Sequence, residues 1–163
     1  MSLLLDTHVL LWWLTDDERL PERMRDAVAD DENEVLVSAA SAWEVSIKAA
    51  LAELTVPEGL RAELQQQGFT ELPVTVEDAL AAGALPRHHD DPFDRMLIAQ
   101  AARRALRLLT VDRRFDDYDV RLLWSIAPTS SRSSVMMLRG ATRPVRRSGS
   151  RRSCPCATPT WGG

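Results

Sequence analysis

An α/β domain built on a mostly parallel sheet is the fold class this sequence predicts, and three observations predict it. Short apolar runs without alternation recur at 2–5 (SLLL), 35–38 (VLVS), 107–111 (RLLTV) and 120–124 (VRLLW), with a shorter one at 71–74 after Gly68. Strands buried on both faces of a parallel sheet read this way. Segments with helical spacing fall between these runs, and such alternation is the pattern of α/β folds. The 163 residues, 45% hydrophobic and 27% charged, suffice for one domain with its own core.

Taken in order, the first strand, 2–5, ends at Asp6. Leu20-Pro21-Glu22 opens a helix over 21–29, because proline suits a first helical turn. After the strand at 35–38, Ser38 or Ser41 can cap a helix over 41–52, and Ser41-Ala-Trp-Glu44 has capping-box spacing. Pro57 starts a helix that Gly68 ends near Gln67, and Val76–Gly83 is a short helix. Pro92 opens a helix over 92–105, with Phe93, Leu97 and Ala101 on one side. The resulting order is β-α-β-α-α-β-α-α-β-short turn-β.

Composition narrows the class of function. No run approaches the roughly 18 apolar residues that cross a bilayer, so no membrane association is expected. Asp6 and His8 interrupt the apolar N-terminus, which has neither a basic leader nor a small-residue cleavage site, so a cytoplasmic protein is expected. Cys154 and Cys156 sit one residue apart and cannot form a disulfide framework. Cys154-Pro-Cys156 also lacks the second ligand pair of a zinc site. Lys48 is the lone lysine beside 19 arginines, a coding bias. The net charge of −4 is split. Residues 1–127 hold all 24 acids against 13 basic residues, and 128–163 hold 7 arginines and no acid. The chain therefore divides into a domain at 1–127 and a basic, Ser-, Arg-, Pro- and Gly-rich tail at 128–163 for which disorder is expected. The abrupt change after Ala127 favours an extension unrelated to the domain over a nucleic-acid-binding or body-contacting arm.

Four acids fall where strands end. Asp6 follows the first strand, Glu44 lies one turn into the helix after the second, Asp94 lies in the first turn after Pro92, and Asp112 follows LLTV. Ligand sites of parallel α/β sheets sit beyond the C-terminal ends of the strands. Singly, each acid has a plain structural use as a helix cap, a capping-box partner or a turn former. Together, four carboxylates at one rim resist joint ionisation unless a cation sits among them. Hard oxygen donors suit Mg²⁺ or Mn²⁺. Asp91 is an alternative to Asp94. The cluster His88-His89-Asp90-Asp91 lacks zinc-site spacing and reads as a polar loop. Trp12, Trp13 and Trp43 are expected in the core or at a dimer seam, and Trp124 at the buried end of the last strand.

The segments LLLDTHVLLWWL, VSAASAWEVSIKAALAEL, LPVTVEDALAAGALPRHHDDPFDRMLIAQA and LLTVDRRFDDYDVRLLW resemble, in order, those of PIN-domain ribonucleases, in particular VapC-type toxins of bacterial toxin–antitoxin pairs. The resemblance covers about residues 2–124. It implies a three-layer α/β/α sandwich around a short parallel sheet, Mg²⁺- or Mn²⁺-dependent cleavage of RNA, inhibition by a cognate VapB-type antitoxin, and a homodimer. It places the four family acids at Asp6, Glu44, Asp94 and Asp112, with Asp6 and Asp94 the firmest ligands and Asp112 direct or through water. Thr7 and Thr110 match supporting hydroxyl positions. The chain departs from the pattern at Val111, where a basic or polar residue is common, and in its tail. Arg95, Arg113 and Arg114 are the basic groups nearest the rim and the candidates for RNA phosphate contact.

Two other functions stay open from sequence. An aspartyl phosphotransferase using Asp6 wants a second Asp where His8 stands and a lysine near the rim. A metal-free binding module pairs with an antitoxin and cleaves nothing. No Gly-rich loop follows the first strand, which leaves dinucleotide binding unsupported.

Overall fold

The computed structural model describes residues 1–52, 59–88 and 90–123. Pro57, His89, Trp124 and the tail at 128–163 lie outside them. Five strands, β1 (Ser2–Leu5), β2 (Glu34–Ser38), β3 (Thr70–Leu72), β4 (Arg107–Leu109) and β5 (Arg121–Leu123), form one sheet in the order β3-β2-β1-β4-β5. Every pairing is parallel; Leu4 lies opposite both Leu36 and Leu108. The helices are α1 (Thr7–Leu14), α2 (Glu22–Ala29), α3 (Ala39–Ala50), α4 (Leu60–Gln66), α5 (Val76–Ala84) and α6 (Pro92–Arg104), with a 3-10 turn at Arg113–Asp117.

Side chains of β1 alternate between two cores, as the pleat requires. Leu3 and Leu5 pack with Val9, Leu10 and Trp13 of α1, Met24 and Val28 of α2 and Leu64 of α4. Leu4 faces the other way, onto Leu97, Ile98 and Ala101 of α6 and Phe115 of the 3-10 turn. Both faces are therefore covered, and the molecule is the expected α/β/α sandwich. No helix among the described residues is long and apolar enough to cross a membrane.

The elements differ from expectation where local chemistry was ambiguous. Two helices, not one, join β1 to β2. The missed helix, α1, reads THVLLWWL and buries Thr7, Val9, Leu10, Trp13 and Leu14, so it carries little polar–apolar periodicity to betray it. Ser38, not Ser41, caps α3: its hydroxyl accepts the Ala40 N–H at 3.0 Å, and the helix starts two residues early. Strands β3, β4 and β5 are each shorter than their apolar runs. Pro73 and Val74 fall outside β3, and Thr110 and Val111 leave the sheet after Leu109.

A polar clamp joins α5 to α6. The fully buried Asp78 closes a capping box with Thr75 and pairs with Arg103 and with Arg104, the latter at 2.7 Å. Arg104 is the chief cause that holds the Asp78 carboxyl well below the usual range. At the other end of α5, Arg95 donates to the carbonyls of Ala82, Leu85 and Pro86, each at 2.8 Å. These are carbonyls that a helix end leaves without intrahelical partners.

Candidate active site

The rim is built outward from the central strand. At the end of β1 the Asp6 N–H still donates to Leu109 O at 3.0 Å, and the chain then turns into α1 with Asp6 as its cap. Asp6 Oδ1 accepts the His8 N–H at 3.2 Å. Its other oxygen accepts the Thr110 hydroxyl at 2.6 Å, because β4 is the parallel neighbour of β1 and delivers Thr110 beside it. The Thr110 hydroxyl oxygen in turn accepts the Asp112 N–H at 3.0 Å. One buried hydroxyl thus fixes the first acid and the loop of the fourth.

Glu44 comes from α3. Thr7 donates to its Oε2 at 2.6 Å, and Lys48, one turn further along, donates to its Oε1 at 2.6 Å. The expected capping box with Ser41 does not form. Ser41 lies inside α3, buried, and its hydroxyl has no hydrogen-bond partner among the described residues. Ser38 has taken the cap, which frees Glu44 to face Thr7.

Asp91 caps α6, accepting the Phe93 N–H at 2.8 Å, and Asp94 follows in the first turn. Burial, and next the charges of Asp6, Asp91, Glu44 and Asp112, push the Asp94 carboxyl up to about 7. All four neighbours are acids, and three of them are the acids nominated at other strand ends. Asp112 caps the 3-10 turn and is closed on Arg114, whose Nη2 lies 2.5 Å from it. It is the weakest of the four influences on Asp94.

Asp6, Glu44 and Asp112 therefore all act on Asp94 at the C-terminal edge of the sheet, with Thr7 bonded to Glu44 and Thr110 to Asp6. Asp91 belongs to the same field. Among the described residues, no three His, Cys, Asp or Glu side chains are already drawn together as a cage for an ion. The donor chemistry, carboxylates with hydroxyl support, fits a hard divalent cation, and so do the acids that add to burial in raising Asp94. Seating an ion requires these side chains to close in and Glu44 to share an oxygen now held by Lys48 or Thr7.

The arginines fare differently. Arg95 points its guanidinium into the end of α5 rather than to the rim. Arg114 is bound to Asp112, and Arg113 is exposed at the start of the 3-10 turn. Two other groups at the rim were not nominated. His8 sits 3.8 Å from Asp6, whose hydrogen bond and charge raise its pKa. Lys48 was legible only as a residue four places after Glu44. It supplies the lysine a phosphotransferase would want, but its partner is Glu44, not Asp6. Of the tryptophans, Trp13 is in the core and donates to Gln67 at 3.3 Å, Trp12 is half-buried beneath Arg19, and Trp43 is exposed with its ring edge-on to Phe93. His88 stacks edge-on against Tyr118.

Fold and rim together define a parallel α/β domain with an acidic carboxyl edge. The PIN-domain family model matches residues 3–121, and the chain belongs to that family. It is 32% identical over 116 residues to Ribonuclease VapC22 of Mycobacterium tuberculosis, covering 69% of this chain and 88% of that protein. Its fold is similar to VapBC2 from Rickettsia felis bound to a DNA fragment from their promoter, with a TM-score of 0.57 at 12% identity over 76% of this chain and 98% of that one. It is also similar to FitAcB from Neisseria gonorrhoeae, with a TM-score of 0.53 at 23% identity over 74% of this chain and 95% of that one.

Proposed function

We infer that the protein is a divalent-metal-dependent endoribonuclease, the toxin of a VapBC-type pair. The observation that carries this reading is the convergence of acids from separate segments at one sheet edge, where Thr110 ties Asp6 to the Asp112 loop, Thr7 holds Glu44, and Asp94 lies in the field of all three. The likeness to a protein named as a VapC ribonuclease supports it. Asp6, Glu44 and Asp94 would hold Mg²⁺ or Mn²⁺, with Asp112 direct or through water. The ion would supply activation of water for attack on a backbone phosphate and an offset to the charge that develops there.

The chain's own groups prepare that site. Thr110 orients Asp6 and the Asp112 loop, and Thr7 orients Glu44. Asp94 is held toward its acid form by burial and the neighbouring acids, so a bound cation would have to displace that proton. Arg113, exposed beside the rim, and Arg114, if it lets go of Asp112, would meet RNA phosphate in this reading.

The partner in this reading is a VapB-type antitoxin, since similar folds have been solved as VapBC and FitAB complexes. A homodimer is part of it. Trp43, Ile47 and Leu51 form an exposed apolar stripe at four-residue spacing on and just past α3, and Val76 and Leu80 form another on α5. The setting is the cytoplasm.

The test is cleavage of an unstructured RNA by the purified full chain, free of antitoxin, with Mg²⁺, with Mn²⁺ and with EDTA. Cleavage is expected with either ion and lost in EDTA, in Asp6→Asn and in Asp94→Asn. Full activity in either folded variant, or none in the wild type with metal, refutes the assignment; the latter outcome describes a silent binding module.

A further inference from the structure

The chain contains one lysine against 19 arginines, and the fold brings that lysine to the acidic rim. Lys48 lies one helical turn beyond Glu44 on α3. Its side chain is 33% exposed, whereas that of Glu44 is 8% exposed, so the pair runs from a buried carboxylate out to solvent. The charge of Lys48 also interacts with Asp91 and Asp94 on α6 and with His8 on α1. A routine pair at this spacing on a helix face involves two exposed side chains and nothing beyond the helix. This ammonium also feels the charges of Asp91 and Asp94 at the start of α6.

An RNA phosphate approaching four carboxylates needs a nearby cation that is partly exposed and able to move. Arg95 is committed to backbone carbonyls at the end of α5, Arg114 is closed on Asp112, and Arg113 is the other exposed cation near the rim. Lysine meets the requirement: a compact charge on a flexible four-carbon stem, with three donors that can be divided between two acceptors.

We propose that Lys48 is a substrate-binding residue of the acidic site, its ammonium receiving a backbone phosphate of RNA while tied to Glu44. The inference rests on the nuclease reading above.

The test measures binding of a fluorescein-labelled, unstructured oligoribonucleotide to the full chain by anisotropy, in EDTA, between about 50 and 200 mM KCl. Lys48→Met is expected to weaken binding to the same degree across sequences. It should flatten the slope of log affinity against log salt by about 0.7, the counterion release of one single-strand phosphate contact. Lys48→Gln should behave like Lys48→Met, which keeps the test intact if one variant folds poorly. Lys48→Arg keeps the charge and should keep the slope. With Mg²⁺ present, the Met and Gln variants should raise KM more than they lower kcat. A lysine that only steadies Glu44 would leave the slope in EDTA unchanged. An unchanged slope in a folded variant, beside a wild type that cleaves RNA, overturns this inference and leaves the nuclease reading standing. A wild type that neither binds nor cleaves RNA overturns both.

Discussion

Replacing Asp94 by asparagine should stabilise the metal-free protein, and only above a defined pH. The folded carboxyl is raised from 3.8 to about 7 by burial and by Asp6, Asp91, Glu44 and Asp112. Below about pH 4 the group is protonated in both folded and unfolded chains, and wild type and variant should be equally stable. Between about pH 4 and 7 the unfolded chain releases a proton that the folded chain retains, so wild-type stability falls as pH rises through that window. Above pH 7 the difference levels off. The full shift corresponds to about 4 kcal/mol. Because Asp94 is only half-buried and solvent screens the neighbouring charges, about 2 kcal/mol is the figure to expect. In a domain of this size that raises Tm by about 6 °C. Thermal melts in EDTA at pH 4 and pH 8 measure it. Equal melting at pH 8, or a gain of the same size at both pH values, would refute the claim that the acids act on Asp94.

Thr110→Val removes the hydroxyl shared by Asp6 and the Asp112 N–H. Leaving those buried polar groups unpaired should cost about 1–3 kcal/mol in urea unfolding and lower the rate of RNA cleavage. Asp78→Asn leaves Arg103 and Arg104 without their anion and should cost about 3 kcal/mol, seen as a lower urea midpoint at pH 7. Since the folded Asp78 carboxyl lies below its unfolded value, its contribution is present above about pH 4 and lost on acidification, so that difference should shrink in acid.

Most of the sheet was legible because buried parallel strands are short and uniformly apolar, and each strand of the sheet coincides with such a run. Helix α1 was not, because a helix buried round most of its circumference lacks the polar face that marks its period. The acids at strand ends were legible from position alone: a parallel sheet sends its carboxyl edge to one side, so residues after β1, β2 and β4 must meet. What they touch was not legible. Ser41 and Glu44 have the spacing of a capping box, but the choice of Ser38 as cap depends on where β2 stops. Arg95 adjoins Asp94 in sequence yet faces the end of α5, since successive residues on a helix point about 100° apart. The pairing of Asp78 with Arg103 and Arg104 was not legible, because it depends on α6 packing beside α5.

The central claim, that carboxylates remote in sequence form one divalent-cation site, is tested most directly by calorimetric titration of Mn²⁺ into the metal-free protein near pH 7, in two buffers of different ionisation enthalpy. The account predicts saturable binding with proton release in the wild type, and loss of binding in Asp6→Asn and Asp94→Asn. Binding that survives both substitutions, or a wild type that takes up no Mn²⁺, would contradict it.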